Sequence, residues 1–219
     1  RGAFTMSGGT INLTGNTLNI AGLNIYATFT LPYPDNVFRM SGGTININAP
    51  NTLAGGPATN FSMLLGSNPN NVSVTGGSIN ITVPTTSNAF INTTVPVWNI
   101  NFNSTSNANA GQIQNYARNA TPFIPVIAPQ PLVIYNNLNI QNSAVLNANG
   151  ADVTVGHDFT INGTAEYRTG NNTTTFNGSA GQRFTNAGTV NNNTGLYNLT
   201  ISGSSNTDIF SNNLTIRGN

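Results

Sequence analysis

Met6-Ser-Gly-Gly-Thr-Ile-Asn-Leu13 returns as Met40-Ser-Gly-Gly-Thr-Ile-Asn-Ile47, and again, with substitutions, as Val74-Thr-Gly-Gly-Ser-Ile-Asn-Ile81. The offset is 34 residues both times (40 − 6 and 74 − 40). A fixed period of this size marks an array of stacked units. Within each unit the order apolar–Asn–apolar is the period-two alternation of a strand with one buried face. Gly-Gly before it supplies a permissive turn, and the β-branched residue after the pair starts the strand.

Working outward, similar short strands are predicted at Thr17–Ile20, Leu23–Ala27, Val97–Phe102, Asn137–Ile140, Asp152–Val155, Phe159–Ile161, Thr173–Phe176, Leu199–Ile201 and Leu214–Ile216. Asn-Gly turns at Asn149–Gly150, Asn162–Gly163 and Asn177–Gly178 punctuate them. No long stretch has helical periodicity. A string of small sandwiches would not repeat one motif at an unvarying offset, whereas a solenoid does, because each copy sits above the last. The fold class is therefore all-β: a parallel β-solenoid (β-helix) with a 34-residue repeat in its N-terminal half. Ile11, Leu13, Ile45, Ile47, Ile79 and Ile81 are expected to point inward in stacked files. Asn12, Asn46 and Asn80 point outward, and like amides one coil apart can hydrogen-bond in a ladder. A coil of about 25–34 residues gives about six to nine coils and a rod on the order of 30–40 Å.

Three regions follow. Residues 1–115 are solenoid with Gly-Gly-Thr repeats, and the register predicts a fourth copy near residue 108. Residues 116–134 are a Pro-rich extended crossing segment, with Pro122, Pro125, Pro129 and Pro131 unable to donate to a ladder. Its apolar residues suit a segment lying along the body. Residues 135–219 continue the solenoid with Asn-Leu-x-Ile repeats. Both termini read as cut from within a longer repeat array, so open ends are expected to stack on more of the same chain or on neighbouring copies.

Composition narrows function. Only 5% of residues are charged and the formal net charge is +1. The 6 basic residues are all Arg. No electrostatic patch can be built from these, which excludes nucleic acid as a natural partner and a polybasic membrane mode. Any partner is held by hydrogen bonds and apolar contact. Asn is roughly one residue in five, yet 37% hydrophobic residues in alternating positions argue for a packed core rather than disorder. With 0 Cys there are no disulfides or thiolate sites.

The run Asn137-Leu-Asn-Ile-Gln-Asn-Ser-Ala-Val-Leu-Asn-Ala-Asn-Gly-Ala-Asp-Val-Thr-Val-Gly-His-Asp-Phe-Thr160 resembles repeats of very large Bacteroidota cell-surface adhesins. Thr173-Thr-Thr-Phe-Asn-Gly-Ser-Ala-Gly-Gln182 and Gly195-Leu-Tyr-Asn-Leu-Thr-Ile201 carry the same likeness. His157 stands where such repeats carry a second Gly. The resemblance implies a type IX secretion substrate of the gliding-motility-adhesin kind. It implies a secreted or cell-surface location, a role in cell adhesion, and contact with outer-membrane secretion machinery and surface glycans.

Chemistry has few candidates. The acids are Asp35, Asp152, Asp158, Glu166 and Asp208. One grouping, Asp152, His157, Asp158, Glu166 and Arg168, would suit a small hydrolytic or metal site if it converged. The competing reading is a turn at His157–Asp158 and an exposed Glu166/Arg168 pair on one strand face. The Gly-Gly pairs lack the acid of repeat-type calcium sites, and no nucleophile elbow or phosphate loop occurs. No catalytic, cofactor-binding or metal-binding residue is assigned, and the expectation is a non-enzymatic shaft or spacer. The alternative is a polysaccharide-binding or polysaccharide-degrading β-helix, for which Tyr26, Tyr33, Tyr116 and Tyr135 could stack on sugars.

Overall fold

The computed structural model describes residues 2–14, 18–20, 25–48, 60–83, 88–105, 112–115, 128–191, 193–211 and 214–218. Their strands form three sheets wound as a parallel β-solenoid. Face A begins with β1 (Ala3–Met6) and β2 (Thr10–Leu13) on one level. It continues through β5 (Val37–Ile47), β7 (Val72–Val83), β9 (Asn99–Ser104), β12 (Leu138–Ile140), β15 (Asp158–Ile161), β18 (Gln182–Asn186) and β21 (Thr207–Ser211). Face B holds β3 (Leu18–Ile20), β4 (Ile25–Leu31), β6 (Asn60–Leu65), β8 (Ala89–Thr93), β10 (Gln112–Asn115), β13 (Val145–Asn147), β16 (Glu166–Arg168) and β19 (Thr189–Asn191). Face C holds β11 (Leu132–Ile134), β14 (Val153–Val155), β17 (Thr173–Phe176) and β20 (Asn198–Ile201). All pairings are parallel except β3–β4, an antiparallel return at the N-terminal end of face B.

The repeats sit in one register. Ile11, Ile45, Ile79 and Ile100 are successive partners, followed by Leu138, Phe159, Phe184 and Ile209. Ile45, Ile47, Ile79 and Ile81 are buried. Ile11 is not: it is 36% exposed, because β2 is the outermost strand of face A and no other described strand lies beneath it. At an ~4.8 Å rise per level, the eight levels of face A span on the order of 34 Å.

Two expectations are corrected. The fourth copy does not arrive near residue 108. Asn101 already partners Asn80, only 21 positions on. The next step, from Asn101 to Asn139, takes 38, and later steps take 21 and then 25. The files stay aligned while coil length varies. The second correction is Leu214–Ile216, which is not a strand; Ile216 makes a single bridge to Leu196.

The Gly-Gly pairs mark a kink inside the long strands β5 and β7, where the register shifts between Met40 and Thr44. Gly43 and Gly77 have φ of 82° and 95°, a conformation that side chains other than glycine resist. Most of the Pro-rich segment lies outside the described residues. Its described end is tied to face B: the Asn92 amide donates to Ala128 O at 3.2 Å, and that of Asn115 to Gln130 O. Further along, the core is aromatic. The Phe159 ring lies 5.2 Å from both Tyr167 and Phe184, and Phe176 is 5.9 Å from Phe184.

Candidate interaction surface

The grouping around His157 does not converge. Asp152 precedes β14 on face C, and its Oδ1 accepts the Thr173 N–H at 2.7 Å. Asp158 opens β15 on face A, with His157 Nδ1 3.4 Å from its Oδ1 and 3.1 Å from Asn137 Oδ1. Glu166 and Arg168 lie on face B in β16. Residues close in sequence have been wrapped onto three different faces. Glu166 is committed to a structural pair. Its oxygens accept Arg168 Nε and Nη2, both at 2.9 Å, and Asn191 Nδ2 at 2.9 Å. The Arg168 hydrogen bonds hold the Glu166 carboxyl below its ordinary range, against the opposing effect of burial. The same bonds raise the Arg168 guanidinium. No group of three or more His, Cys, Asp or Glu among the described residues is placed to hold a metal ion.

What does converge is amide. Asn46 donates to Asn12, Asn80 to Asn46, Asn101 to Asn80 and Asn139 to Asn101, each at 2.7 Å. This ladder runs up the outer side of face A, because alternation sends the flanking Ile and Phe inward. Beside it, Thr82, Asn103 and Gln141 form a parallel rank. With Asn46, Asn80 and Asn101 they line a groove of about 340 Å³. The groove is uncharged and offers donors and acceptors at every level. Asn12, Asn46 and Asn80 were legible from the repeat. Asn101 and Asn139 were not, because their coils have other lengths; their signal is the same apolar–Asn–apolar triplet.

The aromatic candidates divide. Nothing is described of the Tyr26 and Tyr116 side chains. Tyr33 and Tyr135 are 38% and 47% exposed. Tyr135 rims an apolar cleft of about 230 Å³ with Pro69, Val72, Val74, Pro96 and Val133. Tyr167, by contrast, is fully buried. Its hydroxyl accepts the Asn172 amide at 2.7 Å and meets Thr174 Oγ1 at 3.2 Å. Burial raises its pKa to about 12. The chain matches no protein-family model, no curated protein and no solved structure.

Proposed function

We propose that the chain is a shaft, a non-catalytic structural segment of a large exported cell-surface adhesin or filament. One observation carries this reading. Face A keeps a single register through every level while coil lengths change from 34 to 21, 38 and 25 residues. Changes in coil length leave the face A register intact, as a spacer requires. Its partners on this reading are further coils of the same kind or neighbouring copies. Outer-membrane secretion machinery and surface glycans enter through the resemblance to Bacteroidota adhesin repeats. The test is a glycan-turnover assay beside X-ray scattering. The chain should scatter as a rod and turn over no glycan, and Asp158→Ala should change neither result. Turnover abolished by that substitution overturns the shaft reading.

A second reading is favoured by the amide groove on face A: a surface that holds a neutral polysaccharide by hydrogen bonds. Affinity electrophoresis in gels cast with neutral glycans tests it. Retardation that Asn101→Ala relieves would support it, and unretarded migration in every glycan would refute it.

A further inference from the structure

Glycine recurs at positions 8, 42 and 76, but the structure requires it at only two of them. A Cβ on Gly42 would collide with the carbonyl oxygen of Ser7 in the coil below. A Cβ on Gly76 would collide likewise with that of Ser41. At Gly8 no atom of the described residues lies within 4 Å of the same point. The second glycine of each pair repeats the pattern. A Cβ on Gly43 would lie 2.8 Å from Gly8 O and 2.5 Å from Met6 Cε; on Gly77, 2.9 Å from Gly42 O and 2.5 Å from Met40 Cε. The Met of one coil therefore fills the hollow under the Gly-Gly kink of the next. Val74 replaces Met in the third coil, and the fourth has no Gly-Gly for it to fill. Under Gly9 the hollow holds no atom of the described residues within 4 Å.

Two independent features of the same face agree. Each ladder amide donates toward the preceding coil, so Asn12 accepts from Asn46 while its own Nδ2 donates to nothing among the described residues. Ile11 is 36% exposed although its partners Ile45 and Ile79 are buried. Among the described residues β1 and β2 pair with β5 alone, which leaves their outer backbone edge without a partner strand there.

We propose that this face, β1 through the Gly8–Gly9 kink to β2, docks a parallel strand of a further Gly-Gly repeat. That strand places a carbonyl against Gly8, a Met under Gly9 and an amide oxygen opposite Asn12. The proposal rests on the shaft reading and names what stacks on one end of it. Strand β21 does not offer that complement: it carries Phe210 in the Asn file, with neither Gly-Gly nor Met. Face B takes no part, because β3 returns antiparallel there.

The test is a tandem duplication, with a copy of Ser7–Met40 inserted after Met6. In the unaltered chain, Gly8→Ala should leave the urea unfolding midpoint unchanged. In the duplicated chain it should lower the midpoint as much as Gly42→Ala does, and the added coil should unfold in the same transition. Tolerance of Gly8→Ala in both chains, or a separately melting coil, overturns the proposal. So does a discrete dimer of the unaltered chain that Asn12→Ala dissociates, since a second copy would then be the occupant. Any of these leaves the shaft reading standing while scattering still gives a rod; loss of the rod form would sink that reading instead.

Discussion

Truncation of one isoleucine per level measures the stacking directly. Ile79 is 1% exposed and lies between Ile45 and Ile100, both at 0%. Ile79→Ala removes three carbons, a transfer loss of about 2.4 kcal/mol at ~0.8 kcal/mol per methylene. The hole is closed above and below by neighbours held in their own strands, so a cavity cost adds to it, and the total falls within about 2–5 kcal/mol. Ile45→Ala should match it. Ile11→Ala should not: that side chain is 36% exposed and its site opens to solvent, so about 1.5 kcal/mol is expected, without a cavity cost. Urea unfolding followed by far-UV circular dichroism gives the three values, with an unchanged m-value as the check that the folded rod is the same. In a stacked array the end coil can melt first, so hydrogen exchange should place the Ile11 effect in β1, β2 and β5 alone. Equal losses at Ile11 and Ile79, or a loss under about 1 kcal/mol at Ile45, would refute the stacked-file reasoning.

Asn80→Ala removes one donated and one accepted ladder bond, each 2.7 Å; at about 0.5–1.5 kcal/mol per bond, urea titration should show a loss of about 1–3 kcal/mol. The Tyr167 hydroxyl is raised from 10.0 to about 12 by burial. The unfolded chain therefore loses this proton first, and stability should fall as pH rises from 10 toward 12; Tyr167→Phe should remove that slope. Glu166 has the opposite sign. Its folded pKa is lowered from 4.5, so its contribution is present above that value and lost as pH falls below it. The stability gap between the chain and its Glu166→Gln variant should narrow on acidification, and a gap that widens would contradict the pairing with Arg168.

The N-terminal half was legible because its strands are long. β5 and β7 run 11 and 12 residues, enough for alternation and the Gly-Gly kink to stand out. β13, β16 and β19 have three residues each. Three residues offer at most two inward positions, too few to show a period, and the stack rather than the local sequence makes them strands. The constant 34-residue offset misled at the fourth coil for a related reason. Stacking constrains which side chains share a file, not the chain length between them. The candidate site divides the same way. Amides that repeat in register were visible as a ladder, while the acids from Asp152 to Glu166 looked clustered only because the sequence does not show where a 21-residue coil turns its corners.

The scarcity of charge follows from the same geometry, and the exception proves testable. In a parallel stack, a residue type repeated in register stands about 4.8 Å from its own kind. Two like charges at that distance repel by about 0.9 kcal/mol even in water, and more near protein. Identical amides instead donate to one another, which favours Asn over Asp in a file such as Asn12 to Asn139. Among the described residues one file carries charge through three levels, and it alternates: Asp158 partners Arg183, and Arg183 partners Asp208. The Arg183 guanidinium also lies 5.1 Å over the Phe210 ring. Arg183→Glu turns the file into three successive acids, and Arg183→Gln makes its centre neutral. Both lose the ring contact, so the difference between them isolates the repulsion. That difference should be about 1–2 kcal/mol at low ionic strength, from two pairs of exposed like charges. It should shrink steadily as salt shortens the Debye length from about 30 Å at 0.01 M to about 8 Å at 0.15 M. Urea unfolding of the two variants across that range decides it: equal stability at low salt would mean that the side chains of this file do not stand one above another as the backbone register requires.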